Sequence, residues 1–188
     1  ELFEARSQKR IVAYVGWLAA SGGYWLASQA NEIVMTPSGF VGSIGVYNLH
    51  MDFSAAMEKE GVKATFTSAG KYKLDEHPYL PLSESAKEEM QRRVDDSYAA
   101  FVKAVAKGRG VSVSVVEKDF GQGKVFSATR AVAAGMADRV GNFESVIERL
   151  NRPKQGGTLR AQVDADAGLA LVNSLKNLAA DVRSAKES

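Results

Sequence analysis

A chain of 188 residues, 45% apolar and 24% charged, has the length for one domain with an appendage and the composition of a globular protein that builds its own core. A formal net charge of +2 is too small to imply a nucleic-acid partner, and no basic cluster with interleaved aromatic residues is present. The lack of cysteine excludes disulfides, a thiol nucleophile and cysteine-ligated metal.

The segment from Glu1 to Arg6 reads as the end of a helix, and the first residue is not Met, as expected of an internal fragment. Ile11 to Val15 is a short β-branched run, best read as a buried strand. The longest apolar stretch, Ile11 to Ala20, is about half of what a membrane span needs, and no signal peptide is visible. Gly22 and Gly23 punctuate the chain before a short helix at Tyr24 to Ala30. Glu32 to Thr36 reads as a strand closed by Pro37-Ser38-Gly39. Gly42 to Val46 reads as a further strand, Ala55 to Lys59 as a helical turn or two, and Val62 to Thr67 alternates like a strand. Ser68 to Leu82 is rich in Gly, Pro and polar residues and reads as a loop.

Ser85-Ala86-Lys87-Glu88 has the pattern of a capping box opening a long helix. Its apolar face is Met90, Val94, Tyr98, Phe101, Val102 and Val105, and Gly108 and Gly110 are expected to end it. Short helices are expected near Ser112 to Phe120 and Ala128 to Ala134, a strand at Ala137 to Val140 and a helix at Phe143 to Leu150. Residues 1–150 therefore read as one α/β domain, 151–157 as a linker around Pro153 and a Gly pair, and 158–188 as an amphipathic helical appendage. No internal repeat is seen.

A serine hydroxyl is a poor nucleophile until a base accepts its proton. His50 and His77 are the only histidines, and neither lies in a recognisable triad motif. Ser21 stands out because it follows a strand and precedes two glycines and a helix start, which exposes the hydroxyl and leaves backbone N–H groups free for developing negative charge. The plainer alternative is an N-cap serine with glycines that permit a tight turn. The lysines of the central loop are, taken singly, ordinary exposed charges. No metal-ligand spacing and no Walker-type phosphate loop is present, so neither a metal nor a nucleotide cofactor is expected.

Three stretches, taken in order, change that weighting. Ala19-Ala20-Ser21-Gly22-Gly23-Tyr24-Trp25, then Gly42-Ser43-Ile44-Gly45-Val46, then Ser68-Ala69-Gly70-Lys71-Tyr72-Lys73 resemble the signature of the signal peptide peptidase A family of serine–lysine peptidases. The likeness runs from about Ile11 to Leu150. It implies a ClpP/crotonase-like fold of short β-β-α units, with Ser21 as nucleophile, Lys73 as general base and Ser43 orienting the lysine amine. The helix start after Ser21 makes Gly22 the expected oxyanion donor, and Gly42, Tyr72 and His77 are the expected groove residues, His77 otherwise a surface residue of its loop. Lys71 competes with Lys73, but the family's base follows an aromatic or histidine position, here Tyr72.

A free lysine is neutral about once in 2,500 molecules at pH 7, so a lysine base must be desolvated. In the family, nucleophile and base can come from neighbouring subunits, which implies a homo-oligomer with sites completed where subunits meet. The family's glycine-rich oxyanion loop lies upstream of the nucleophile and falls before Glu1. Within the family, Lys73-Leu74-Asp75-Glu76-His77-Pro78-Tyr79 and Ala55 to Val62 resemble the phage and prophage capsid assembly proteases, which would place the protein in the host cytoplasm or procapsid with scaffold or capsid proteins as partners. A scaffold-like helical segment at 158–188 fits that branch. The alternatives are a membrane-associated peptidase of leftover signal peptides, anchored upstream, and a non-catalytic oligomeric scaffold.

Overall fold

A computed structural model describes residues 1–152 of the chain. Apart from its first two positions the expected linker lies outside the described residues, as does the whole helical appendage. Within Glu1–Leu150, one compact unit, the order is α1 (Leu2–Ala5), β1 (Val12–Val15), β2 (Leu18–Ala20), α2 (Gly22–Ser28), β3 (Glu32–Met35), β4 (Phe40–Gly42), α3 (Ser54–Lys59), α4 (Glu84–Arg109), α5 (Val113–Asp119), β5 (Val125–Ser127), α6 (Ala128–Ala133), β6 (Arg139–Val140) and α7 (Phe143–Asn151).

Strands come in consecutive pairs whose members enter different sheets. One sheet has the order β1-β3-β6, all parallel; the other has β2-β4-β5, with β2 and β4 parallel and β5 antiparallel to β4. The first two pairs, β1-β2 and β3-β4, each lay one strand on each sheet and return through a helix, whereas α6 separates β5 from β6. This is the α/β arrangement of the ClpP/crotonase-like fold. β3 is buried along its whole length because β1 and β6 flank it and helices cover it, so Ile33, Val34 and Met35 read as a continuous apolar run rather than an alternating one.

The helix α4 closes the core. Phe101, Val102 and Val105 are buried, Val94 and Tyr98 partly so, and Trp25 of α2 stacks on Phe101 with ring centroids 4.7 Å apart. Its N-cap is Ser83, whose Oγ accepts the Ala86 N–H, so the helix starts ahead of the expected box at Ser85. Gly110, at φ 67°, makes the left-handed C-cap, whereas Gly108 lies inside the helix, where a Cβ would stand 2.2 Å from the Ser28 carbonyl oxygen. Gly108 is therefore a packing glycine that lets α4 meet α2, and not a terminator.

Two expected strands are absent. β4 ends at Gly42, where the expected strand begins, because Gly42 and Ser43 both take positive φ and turn the chain out of the sheet. Val62 to Thr67 forms no strand, since it is exposed at nearly every position and no sheet edge of the described residues reaches it. Three short strands, β2, β4 and β5, were not expected.

A charge cluster fastens the β1-β3-β6 sheet at its start. Glu32, 7% exposed, meets Arg10 at 2.6 Å, Arg139 at 2.7 Å and Arg149 at 2.8 Å. The Arg139 contact to Oε1 lies off the hydrogen-bond direction, so that oxygen has charge contact but no hydrogen bond. Burial pushes the Glu32 carboxyl up, but hydrogen bonds from Arg149 and Arg10 and the charge of Arg139 outweigh it and hold the group below the usual carboxylate range. Asp138, pushed up by burial, is likewise brought below its ordinary value by hydrogen bonds from Arg109 and the Ile33 N–H.

Candidate active site

Ser21 sits where β2 turns into α2, with φ 52° and ψ −123°. A non-glycine residue there costs about 1–3 kcal/mol, and the structure holds it in place. The Ser21 N–H donates to the Gly42 carbonyl at 2.8 Å, and the Ser21 carbonyl accepts the Trp25 N–H at 3.0 Å. Its hydroxyl makes no capping hydrogen bond, and the residue is exposed.

Of the other N-cap serines, Ser83 and Ser112 show the ordinary arrangement, while Ser127 has an extended backbone at φ −65° but, like Ser21, makes no side-chain capping hydrogen bond. Ser83 and Ser112 have extended backbones, with φ −75° and −74°, and their hydroxyls accept the N–H groups of Ala86 and Val115. Ser21 departs from them in backbone and in side chain alike. Gly22, next along, is exposed and a Cβ on it would touch nothing within 4 Å. As the first helical residue, its N–H has no partner within α2.

Ser43 lies beside Ser21. The parallel register pairs Ala20 with Gly42, which puts the two serines at successive positions beyond the C-terminal ends of neighbouring strands. Ser43 also has positive φ, 54°, and its N–H donates to the Lys124 carbonyl at 2.9 Å. Gly42 is buried at φ 123°, and a Cβ there would stand 2.6 Å from that same Lys124 oxygen. Only glycine fits. Its carbonyl holds the Ser21 N–H, so Gly42 links both serines through the backbone.

The turn that supports Ser43 was not singled out from the sequence. Gly121, Gln122 and Gly123 all take positive φ, at 90°, 48° and 90°, and the Gly123 Cα lies 3.4 Å from where Gly45 would carry a Cβ. The available signal was Gly-Gln-Gly just ahead of a β-branched residue.

Lys73 lies on a run of tight turns between Gly70 and Leu80, where its N–H donates to the Gly70 carbonyl at 3.1 Å. Its side chain is exposed, and among the described residues no hydrogen bond or ion pair joins it to Ser21 or Ser43. Lys71 is engaged differently, with Nζ 4.8 Å from the centroid of the exposed Tyr72 ring. His77 is partly buried, edge-on to Phe66 at 4.5 Å, and His50 keeps a buried Nε2 without a hydrogen-bond partner. The fold thus brings together Ser21, Gly22, Gly42 and Ser43 and leaves Lys73, Tyr72 and His77 on a separate loop. No group of three or more metal-ligating side chains occurs among the described residues.

Paired strands and returning helices define the class: a ClpP/crotonase-like domain, here with an exposed, uncapped serine at a strand-to-helix turn. The family model for peptidase family S49 matches residues 4–156. The chain belongs to peptidase family S49. It is 36% identical over 149 residues to a putative protease of Methanocaldococcus jannaschii, covering 79% of this chain and 48% of that protein. It is 34% identical over 142 residues to capsid assembly protease C of Escherichia phage lambda, covering 76% and 32% of the two chains. It is 32% identical over 137 residues to a putative signal peptide peptidase SppA of Enterococcus faecium, covering 73% and 40%. The chain spans less than half the length of each of these relatives.

Proposed function

We propose that this chain is the catalytic part of a serine endopeptidase in which Ser21 attacks the scissile carbonyl and Lys73 is the general base. Ser43 would orient the lysine amine, and the Gly22 N–H would donate to the oxyanion. The observation that carries this reading is the strained, uncapped, exposed Ser21 fastened by Gly42 next to Ser43. Strain at a residue with no structural use for its side chain points to function. A sharp strand-to-helix turn is also how a nucleophilic serine is lifted clear of a sheet.

In the reaction the Ser21 Oγ would form a bond to the carbonyl carbon as its proton passes to the Lys73 amine. The resulting ammonium would return that proton to the leaving amine, and water would then hydrolyse the acyl-enzyme. Within one copy Lys73 is exposed and apart from Ser21, whereas a lysine base must be desolvated. We therefore assign Lys73 to the serine of a neighbouring copy. Exposed apolar residues of the preceding segment, Tyr47 at 87% exposure with Leu49, Met51 and Val62, supply a surface of the kind that subunit interfaces cover.

For the biological role we favour capsid assembly proteolysis, with scaffold or head proteins as substrates in the host cytoplasm or procapsid. The support is the Lys73 to Tyr79 stretch together with the similarity to the lambda protease. No helix of the described residues is long and apolar enough to cross a membrane. Signal peptide degradation is the second reading, supported by a nearly equal identity to the Enterococcus relative. Co-expression of the full-length protein with a scaffold protein tests the first: cleavage lost in Ser21→Ala and in Lys73→Ala supports it. Cleavage that survives Ser21→Ala refutes the nucleophile, and release of short apolar peptides from membranes in place of scaffold cleavage favours the second role.

A further inference from the structure

Four turns follow one another from Gly70 to Leu80, closed by the N–H groups of Lys73, Asp75, His77 and Leu80 on the carbonyls of Gly70, Tyr72, Leu74 and His77. His77 is the joint between the last two. Its N–H closes one turn at 3.1 Å and its carbonyl closes the next at 3.1 Å. The side chain adds a third tie, because Nδ1 accepts the Tyr79 N–H at 3.3 Å across Pro78. This is the bond an Asx residue makes to the backbone two residues on.

The same ring stands edge-on to Phe66 at 4.5 Å and tilted to Tyr79 at 5.5 Å, while the Pro78 carbonyl accepts the Phe53 N–H at 2.7 Å. Next to it Glu76, at φ 66°, is ion-paired to Arg93 of α4. Among the described residues the Lys73 side chain makes no hydrogen bond or ion pair, so its position depends on the turn run that carries it, and His77 fastens the far end of that run.

We infer that His77 is a positioning residue for the base, holding the Lys73-bearing turns through the Nδ1 bond to the Tyr79 N–H. The inference rests on the assignment of Lys73 as base and gives that site a residue that acts without touching substrate. A loosened turn leaves substrate binding in place but misplaces the amine, and a misplacement of about 1 Å costs on the order of 10²-fold in rate.

Three variants of the full-length protein separate the acceptor from the ring. His77→Asn keeps an acceptor suited to a turn before Pro78, His77→Phe keeps only the ring, and His77→Ala keeps neither. Two readouts are taken: the maximal rate and half-saturating concentration of fluorophosphonate acylation, and hydrogen exchange at the Tyr79 amide. His77→Ala and His77→Phe are expected to lower the maximal rate by about ten- to a hundredfold with the half-saturating concentration unchanged, and to speed Tyr79 exchange. His77→Asn is expected to restore both. The inference is overturned if His77→Phe behaves as wild type, if His77→Asn is as impaired as His77→Ala, or if only the half-saturating concentration moves, which would make His77 a groove contact. A Lys73→Ala chain that acylates at the wild-type rate overturns the base assignment and the positioning role with it. Unchanged Tyr79 exchange alongside a strong Lys73 effect overturns the role of His77 alone.

Discussion

Replacing Glu32 by Ala removes the one carboxylate on which Arg10, Arg139 and Arg149 converge. Breaking a buried ion pair by deleting one partner costs about 3–5 kcal/mol, most of it the penalty of the charge left behind. Here the Arg10, Arg139 and Arg149 side chains are 42%, 39% and 25% exposed, so most of the stranded charge meets water although the Arg149 Nη2 is buried, which places the loss near the lower bound, about 3 kcal/mol. For a domain of this size each kcal/mol lowers the melting temperature by about 2–4 °C, so a drop of about 6–12 °C is expected. The assay is thermal and urea unfolding of wild type, Glu32→Ala and Glu32→Gln across pH. The folded Glu32 carboxyl titrates below its unfolded value, so the unfolded state binds its proton first as pH falls. Its contribution is therefore complete above the ordinary carboxylate pKa of about 4.3 and is lost as pH drops through the lower folded value. The gap between wild type and Glu32→Gln should be full at pH 7 and shrink below about pH 4. A loss under about 1 kcal/mol for Glu32→Ala at pH 7, or a gap that widens in acid, refutes the role given to the cluster.

Ser21→Gly should be more stable than Ser21→Ala by about 1 kcal/mol in urea unfolding, because glycine relieves the positive φ; equal stabilities contradict the strained turn. Gly42→Ala should cost Ser21 its acylation by fluorophosphonate, since the added Cβ must push away the Lys124 carbonyl that holds Ser43; wild-type labelling contradicts that support. Gly108→Ala should destabilise by about 1–3 kcal/mol as α4 is forced off Ser28, read as a lower urea midpoint. Mixing Ser21→Ala with Lys73→Ala chains should restore about a quarter of the sites if copies assemble at random and each site draws on two of them. No recovery on mixing places both residues in one copy.

What the sequence discloses follows from where the physical signal is dense. β1 and β3 are visible as β-branched runs, and α4 as a long 3–4 periodicity from Met90 to Val105. β2 and β5 hold three residues each; Leu18-Ala19-Ala20 has no β-branched side chain to mark it, and Val125-Phe126 is too short a run to read as a strand. Val62 to Thr67 has the alternation of a strand but finds no edge, because pairing depends on a partner that local pattern does not contain. Ser85 satisfies the capping-box pattern, yet Ser83, two residues earlier, has the extended backbone that capping needs.

For the site, a strand upstream of Ser21 and a helix just after it were legible, as was its order relative to Ser43 and Lys73, but β2, the strand that leads into it, was not. Its positive φ was not, since serine rarely adopts one and does not advertise it. Nor was the support from the Lys124 carbonyl, which comes from a turn about eighty residues downstream of Ser43 and is brought there only by the pairing of β4 with β5. Gly108 shows the converse: a glycine near a helix end reads as a stop signal, and only the crossing with α2 reveals its packing use.

The proposed role of Ser21 as nucleophile is tested most directly by one measurement. The full-length assembled protein is treated with a fluorophosphonate and the modified serine is located by peptide mass spectrometry. A single adduct on Ser21, absent from the Lys73→Ala protein, is the predicted result. An adduct on Ser43 or another serine, or none on an accessible Ser21, would contradict it.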